Sequence, residues 1–131
     1  MSERKQNKKI DKRAPVIVGV GDLVDRSKED GLNPQELLAK ACEHAIQDSG
    51  IKELSNHIDY VGVVRFTVDF LTATNQSNFQ YSNFPRTLAN KLNISAKNEV
   101  YAPMGGNSPQ VLLEDALVKI STGETDCALL S

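Results

Sequence analysis

Residues 99–110, EVYAPMGGNSPQ, hold the transition that decides the fold. The first five of them are typical of a short strand, and residues 104–108 are typical of a tight glycine turn. Ser108 suits the N-cap of a helix and Pro109 suits its first position. An apolar stripe then recurs at helical spacing until Gly123. A strand joined by a tight turn to a helix is the repeating unit of an α/β fold.

The same alternation extends along the chain in both directions. Strands are predicted over 15–20, 59–66, 99–103 and 126–130, and helices over 33–50, over 85–92 and from Pro109 to Gly123. The order β-α-β-α-β-α-β predicts a mostly parallel sheet with right-handed crossovers.

The first strand and the first helix carry the clearest local signals. Residues 15–20, PVIVGV, are rich in β-branched side chains, which favours a strand buried on both faces. Asn33 suits the N-cap of the helix that follows, with Pro34 at its first position. Glu36 stands at the capping-box spacing, and Gly50 is a natural stop.

Length and composition limit the classes of protein. The chain has 131 residues, 40% hydrophobic and 24% charged, with a net charge of −2. These values predict one soluble domain, which we place at residues 14–131. No apolar run is long enough for a transmembrane helix, and two cysteines are too few for a disulfide scaffold. We expect a cytoplasmic protein with reduced thiols.

The first 13 residues form a basic tail. They hold six basic and two acidic residues, and the rest of the chain is acidic. A basic arm can contact nucleic acid, but no aromatic side chain is interleaved for base stacking. We interpret the tail as disordered and solvated, and expect neither a nucleic-acid nor a membrane partner.

Residues 67–83 are predicted to form a long polar loop. Five of the seven aromatic residues lie between Phe66 and Phe84. A loop of this length in a small domain is often functional or part of an interface. The alternative is that its aromatic side chains pack the loop onto the core.

Motifs for metals and nucleotides are missing from the sequence. It contains no CxxC pair, no HExxH and no P-loop, so we predict no metal site. Gly19 and Gly21 follow the first predicted strand, but no third glycine completes a dinucleotide motif. Cys42 lies in the apolar stripe of the first helix, where a small core residue is expected.

The turn at residues 104–108 is the candidate site. Free N–H groups at a helix start, together with the helix dipole, favour an anion or a developing oxyanion. Ligands of open α/β sheets collect at the carboxyl ends of strands, where this turn is predicted to lie. The alternative is a well-capped helix after a tight turn, without a ligand.

Several segments resemble the thiolase superfamily, in particular its acetyl-CoA acetyltransferases. The resemblance covers nearly the whole chain from about residue 13, and residues 105–110, GGNSPQ, are its most specific part. The other matching segments are residues 15–21, 34–38, 58–61, 81–85 with Leu88, Ala89 and Leu92, and 120–130.

The resemblance implies an acyl-CoA-handling protein, nominally an acyltransferase of lipid metabolism. It implies the N-terminal part of a thiolase-type half with strand order 3-2-1-4, incomplete at its C-terminus. A coenzyme A thioester would be the substrate or ligand, with no tightly bound cofactor. Gly105, Gly106, Asn107 and Ser108 would bind the thioester oxygen. A homo-oligomer is expected, since the resemblance implies a dimer and a free edge on the fourth strand invites pairing.

Two departures from the family pattern limit this expectation. Gly106 occupies the position of the nucleophilic cysteine, so we assign no catalytic residue. The second half, with its histidine and further cysteine, has no counterpart in these 131 residues, and we expect this chain alone to be inactive. A non-catalytic acyl-CoA-binding or assembly module is therefore the alternative function. A flavodoxin-like nucleotide binder is a more remote one, weakened by the missing phosphate loop.

Overall fold

The computed structural model describes residues 10–27, 31–67 and 83–131. Most of the predicted basic tail and nearly all of the predicted loop at 67–83 lie outside these residues. The two interpretations of the aromatic-rich loop therefore stay predictions.

Helices and strands alternate through the described residues. They are α1 (Pro34–Asp48), β1 (Tyr60–Val64), α2 (Phe84–Lys91), β2 (Asn98–Ala102), α3 (Ser108–Thr122) and β3 (Ala128–Leu130). One 3₁₀ turn, Leu54–Asn56, lies between α1 and β1. No helix among the described residues is long enough and apolar enough to cross a bilayer.

The three strands form a parallel sheet in the order β2-β1-β3. Tyr60 faces Asn98 on one side and Ala128 on the other. The α/β class and the parallel sheet are thus confirmed. The expected order 3-2-1-4 is wrong, because the fourth predicted strand pairs directly with the second. The first predicted strand does not lie between them.

The central strand β1 is buried because both its edges and both its faces are covered. Val61 and Val63 have no exposed surface. A Cβ added to Gly62 would come within 3.1 Å of the Leu112 side chain and within 3.0 Å of Leu130. Glycine at this position therefore lets α3 and β3 pack closely onto the strand.

Residues 15–20 are not a strand, which corrects the prediction of a doubly buried one. They have no regular secondary structure, and Val16 and Ile17 are 76% and 79% exposed. We call residues 13–21 the strap, since they run from the end of α3 to the side of α1. The segment has the composition of a strand but no neighbouring strand among the described residues, and β-branched side chains alone do not create burial.

Two glycines hold the strap against α1. A Cβ at Gly19 would lie 2.2 Å from the Ala45 carbonyl oxygen, and one at Gly21 would lie 2.3 Å from that of Ala41. The Val20 N–H also donates to Asp48 Oδ2 at 2.9 Å. These contacts require glycine for close approach of two backbones, not for a left-handed conformation.

The signals for α1 are confirmed. The Asn33 side chain accepts from the Glu36 N–H, and the Glu36 carboxylate accepts from the Asn33 N–H, which completes a capping box. Gly50 follows the helix end with φ 64°, a left-handed conformation that favours glycine.

Candidate functional site at the turn between β2 and α3

The turn lies at the carboxyl edge of the sheet. β1 and β2 run parallel with Val64 beside Ala102, so both strands end at the same level. Arg65 and Phe66 follow β1 there, and residues 103–107 connect β2 to α3. The predicted position of Gly105, Gly106 and Asn107 at this edge is therefore confirmed, while their binding role stays a prediction.

The first turn of α3 differs from the prediction by one residue. The helix begins at Ser108, and Asn107 is its N-cap with φ −95° and ψ −3°. Neither the predicted N-cap Ser108 nor Asn107 caps the helix through its side chain. The Ser108 hydroxyl points elsewhere and donates to the Pro103 carbonyl oxygen at 2.5 Å.

Ser108 is therefore a structural part of the turn. Its side chain is buried, and its N–H donates to the Gly105 carbonyl oxygen at 3.1 Å. Both donors of the residue are thus used within the turn. A hydroxyl that donates to a carbonyl has no base to activate it as a nucleophile.

Donors that a ligand could use come from the turn backbone. No hydrogen bond among residues 10–27, 31–67 and 83–131 engages the N–H groups of Gly106 and Asn107. Both residues are exposed and stand immediately before α3. Backbone N–H groups at a helix start are suited to an anion or to the oxygen of a thioester.

The space beside the Gly106 backbone is empty, whereas the space beside Gly105 is occupied by neighbouring side chains. A Cβ added to Gly106 would meet no heavy atom within 4 Å, whereas one at Gly105 would meet the Asn107 and Ser108 side chains at 3.2 and 3.3 Å. Neither glycine has a left-handed φ. The backbone would accept a side chain at Gly106, so the local fold does not require glycine there.

Neither of the two thiols belongs to the turn. Cys42 is in the core, and burial raises the pKa of its thiol to about 11. Cys127 precedes β3, and burial, followed by the charges of Asp59 and Asp126, raises its pKa as well. Thiols with raised pKa values are poor nucleophiles at neutral pH.

Neither of the two histidines forms a hydrogen bond with Ser108. The His44 ring lies on α1, where Nδ1 is 2.9 Å from the Asp22 carbonyl oxygen. His57 follows the 3₁₀ turn before β1. Within the described part of the chain, no three metal-ligating side chains form a cluster.

Sequence reasoning missed an aromatic and cationic group beside the turn. The Phe84 ring packs between Phe66 and Tyr101, with centroids 5.1 and 5.8 Å away. The Arg65 guanidinium lies 4.8 Å above the centre of the Tyr101 ring. Only the parallel register, with Val63 beside Tyr101, brings these residues together. No signal within a single segment of sequence could have found this arrangement.

Comparison with known proteins supports the fold but does not test the binding of a ligand or a reaction. No protein family model and no curated protein matches the chain. Among solved structures, it is similar to the crystal structure of a monomeric SCP2-thiolase like protein type 1 from Mycobacterium smegmatis. The identity is 31% and the TM-score 0.75, over 93% of this chain and 24% of that chain.

The chain thus has a thiolase-like half-fold and spans about a quarter of the length of that solved structure. This agrees with the fold that the sequence resemblance implied.

Proposed function

We propose that the chain is a thiolase-like protein that binds acyl-CoA and holds the thioester oxygen at the N–H groups of Gly106 and Asn107. The observation that carries the proposal is the open space at Gly106, beside two unengaged backbone donors at a helix start. The similarity to an SCP2-thiolase like protein supports the choice of an acyl thioester as ligand.

Acyl transfer through a thiol of this turn is not part of the proposal. The turn has no cysteine, and the Ser108 hydroxyl is committed to the Pro103 carbonyl. A covalent acyl-enzyme needs a nucleophile with a base or a lowered pKa, and these side chains supply neither. Acyltransferase chemistry would require a reacting group from outside residues 99–110.

The engagement of Ser108 favours the second candidate, a binding or assembly module without turnover. An assembly module does not require a ligand, whereas an acyl-CoA-binding module and an acyltransferase both predict binding of acyl-CoA. They differ in whether label from free coenzyme A enters acetyl-CoA when both are present. Exchange would favour the acyltransferase, and binding without exchange would favour the module.

Titration calorimetry with acetyl-CoA, followed by intact mass, tests the proposal. We expect saturable binding and no covalent adduct. Gly106→Leu should weaken binding by roughly tenfold or more, because its side chain would fill the space beside the donors. Ser121→Leu, at the exposed far end of α3, is the matched control and should bind as the wild type. Absence of binding, or an adduct on residues 105–108, would overturn the proposal.

A thiol introduced at position 106 gives a second test. Gly106→Cys should fold normally, since nothing lies within 4 Å of the new Cβ. A thiol next to a helix N-terminus has a lowered pKa, so it should be alkylated at neutral pH before Cys42 and Cys127. Equal alkylation of the three thiols would contradict the site assigned to the turn.

A further inference from the structure

The residues before α3 form a closed β-turn, residues 105–108. Its ends are joined by the hydrogen bond from the Ser108 N–H to the Gly105 carbonyl oxygen, which is 3.1 Å long. Asn107 is the third residue of the turn, and its φ of −95° and ψ of −3° are the values of that position in a type I turn. The bond of a type I turn uses one carbonyl and one N–H at its ends, so the N–H groups of the two central residues are left for other partners.

The direction of the Gly106 N–H follows from the planarity of one peptide bond. The Gly105 carbonyl and the Gly106 N–H belong to the same trans peptide unit and point in opposite directions. Because the Gly105 carbonyl points into the turn, toward the Ser108 N–H, the Gly106 N–H points out of it. The residue that closes the turn therefore also sets the direction of a donor at the candidate site.

The Ser108 side chain closes a second, wider loop over the same segment. Its hydroxyl donates to the Pro103 carbonyl oxygen at 2.5 Å, which ties the residue after β2 to the first residue of α3. A Cβ added to Gly105 would lie 3.3 Å from Ser108 Oγ, so the hydroxyl packs against the Gly105 backbone. Ser108 is 4% exposed, whereas Gly106 and Asn107 are exposed. The hydroxyl thus lies on the buried side of the turn, and the residues that carry the donors lie on its exposed side.

The helix that follows supports Ser108. The Val111 N–H donates to the Asn107 carbonyl oxygen at 3.1 Å, so the regular bonding of α3 starts at the turn. α3 has 15 residues, and Leu112 and Ala116 are buried. Ser108 therefore belongs to a packed helix, and its hydroxyl connects that helix to the segment before the turn.

We propose that Ser108 is a positioning residue of the acyl-CoA site. Its hydroxyl holds the Pro103 carbonyl and thereby fixes the turn, so that the backbone donors of Gly106 and Asn107 point at the thioester oxygen. This inference rests on the proposed function, because it assigns a role within that site. Ser108 touches no ligand in this role and acts through the backbone of the turn. Preorganised donors lose less conformational freedom on binding than mobile ones, so the hydroxyl contributes to affinity.

Two other roles of this hydroxyl predict different observations. A helix cap would accept a hydrogen bond from an N–H of the first turn, and α3 has no such side-chain cap. A hydrogen bond that only stabilises the fold would change the free energy of unfolding. It would leave the affinity for the ligand, and the hydrogen bonds to the ligand carbonyl, as they are.

The Ser108→Ala variant tests the role of the hydroxyl, since it keeps the N–H that closes the turn. Titration calorimetry should show that it binds acetyl-CoA roughly fivefold more weakly than the wild type. The infrared stretching frequency of a ¹³C-labelled thioester carbonyl falls as hydrogen bonds to the oxygen strengthen. This frequency should therefore be higher in the complex of Ser108→Ala than in the wild-type complex.

Ser49→Ala is the matched control. The Ser49 hydroxyl donates to the Ile46 carbonyl oxygen at 2.6 Å, a bond of the same kind at the end of α1. This variant should bind acetyl-CoA within about twofold of the wild type, with the same carbonyl frequency. Ser108→Cys replaces the hydroxyl by a weaker donor and should lie between the wild type and Ser108→Ala. Circular dichroism confirms that each variant is folded.

The inference and the proposed function fail on different results. If the wild type binds acetyl-CoA and Ser108→Ala binds it equally well, the inference is wrong and the proposed function stands. An equal loss of affinity in Ser49→Ala also overturns the inference, because stability alone would then explain the loss. Weaker binding by Ser108→Ala with an unchanged carbonyl frequency overturns it too, since the donors would still be aligned. Absence of binding by the wild type overturns the proposed function, and with it the place of Ser108 in the site.

Discussion

Two β-branched runs of nearly equal length have opposite fates in this chain. Residues 60–64, YVGVV, form the central strand, and Val63 has no exposed surface. Residues 15–20, PVIVGV, form most of the strap, with Ile17 largely exposed. Composition alone predicted burial for both.

The difference is the presence of neighbours. β1 pairs with β2 and β3, and helices cover it, whereas no strand among the described residues lies beside the strap, which contacts α1 at Gly19 and Gly21. Burial of a β-branched run therefore depends on whether strands are available at its sides.

The largest expected effect contrasts the two runs directly. Val63→Asp buries a charge without a partner and should destabilise the chain by about 4 kcal/mol, enough to unfold a domain of marginal stability. Ile17→Asp should change the free energy of unfolding by less than about 0.5 kcal/mol. Urea denaturation followed by circular dichroism measures both. Similar losses would show that the strap is buried as β1 is.

The next effect concerns the contact between strap and helix. Gly19→Ala places a methyl group into the α1 backbone and should cost about 2 kcal/mol, or release the strap and expose it to protease. Gly106→Ala is the matched control, with nothing near the new Cβ, and should stay within about 0.5 kcal/mol of the wild type. Thermal unfolding and limited proteolysis of both variants would distinguish a fixed strap from a loose one.

A hydrogen bond between Tyr60 and Asp115 links β1 to α3 and makes the stability of the fold depend on pH. The Tyr60 hydroxyl donates to Asp115 Oδ2 at 2.7 Å, and burial, then this bond and the Asp115 charge, raise the pKa of Tyr60 above 10. Tyr60→Phe should cost about 1.5 kcal/mol at neutral pH.

The folded state holds the Tyr60 proton more tightly, so this contribution is complete below pH 10 and falls as pH rises further. Above pH 10, the free energy of unfolding of the Tyr60→Phe variant should therefore fall less steeply with pH than that of the wild type. A double-mutant cycle with Asp115→Ala isolates the pair, and additive losses would mean that the two side chains do not interact.

The smallest expected effect on stability concerns the hydrogen bond between the strap and Asp48. Asp48→Ala removes the carboxylate that accepts from the Val20 N–H and should cost no more than about 0.5 kcal/mol, since the site is exposed. Amide exchange of Val20 should nevertheless quicken. Glu43→Ala, at another exposed position of α1, is the control. Unchanged amide exchange at Val20 in the Asp48→Ala variant would show that this hydrogen bond does not hold the strap against α1.

Local signals in the sequence were sufficient for the helices and for three strands. The capping box of Asn33 and Glu36 and the glycine after α1 act within a few residues, so they can be read without the fold. Ser108 shows the limit of such signals. Its hydroxyl donates to the Pro103 carbonyl oxygen, five residues earlier, and does not cap the N–H groups of the helix.

Features that depend on pairing could not be read from single segments. The position of β3 beside β1, the exposure of residues 15–20 and the stacking of Arg65 on Tyr101 all follow from sheet order and register. The position of the candidate turn was predictable, because a glycine turn after a strand must lie at the carboxyl edge. The openness of Gly106 was not, since it depends on what the rest of the chain leaves empty.

Amide hydrogen exchange on the whole chain tests the contrast between the two runs most directly. We predict that Val61 and Val63 exchange only through opening of the sheet, and that Val16, Ile17 and Val18 exchange at rates near those of an unfolded peptide. Comparable protection of the two runs would contradict it, because residues 15–20 would then be paired as a strand.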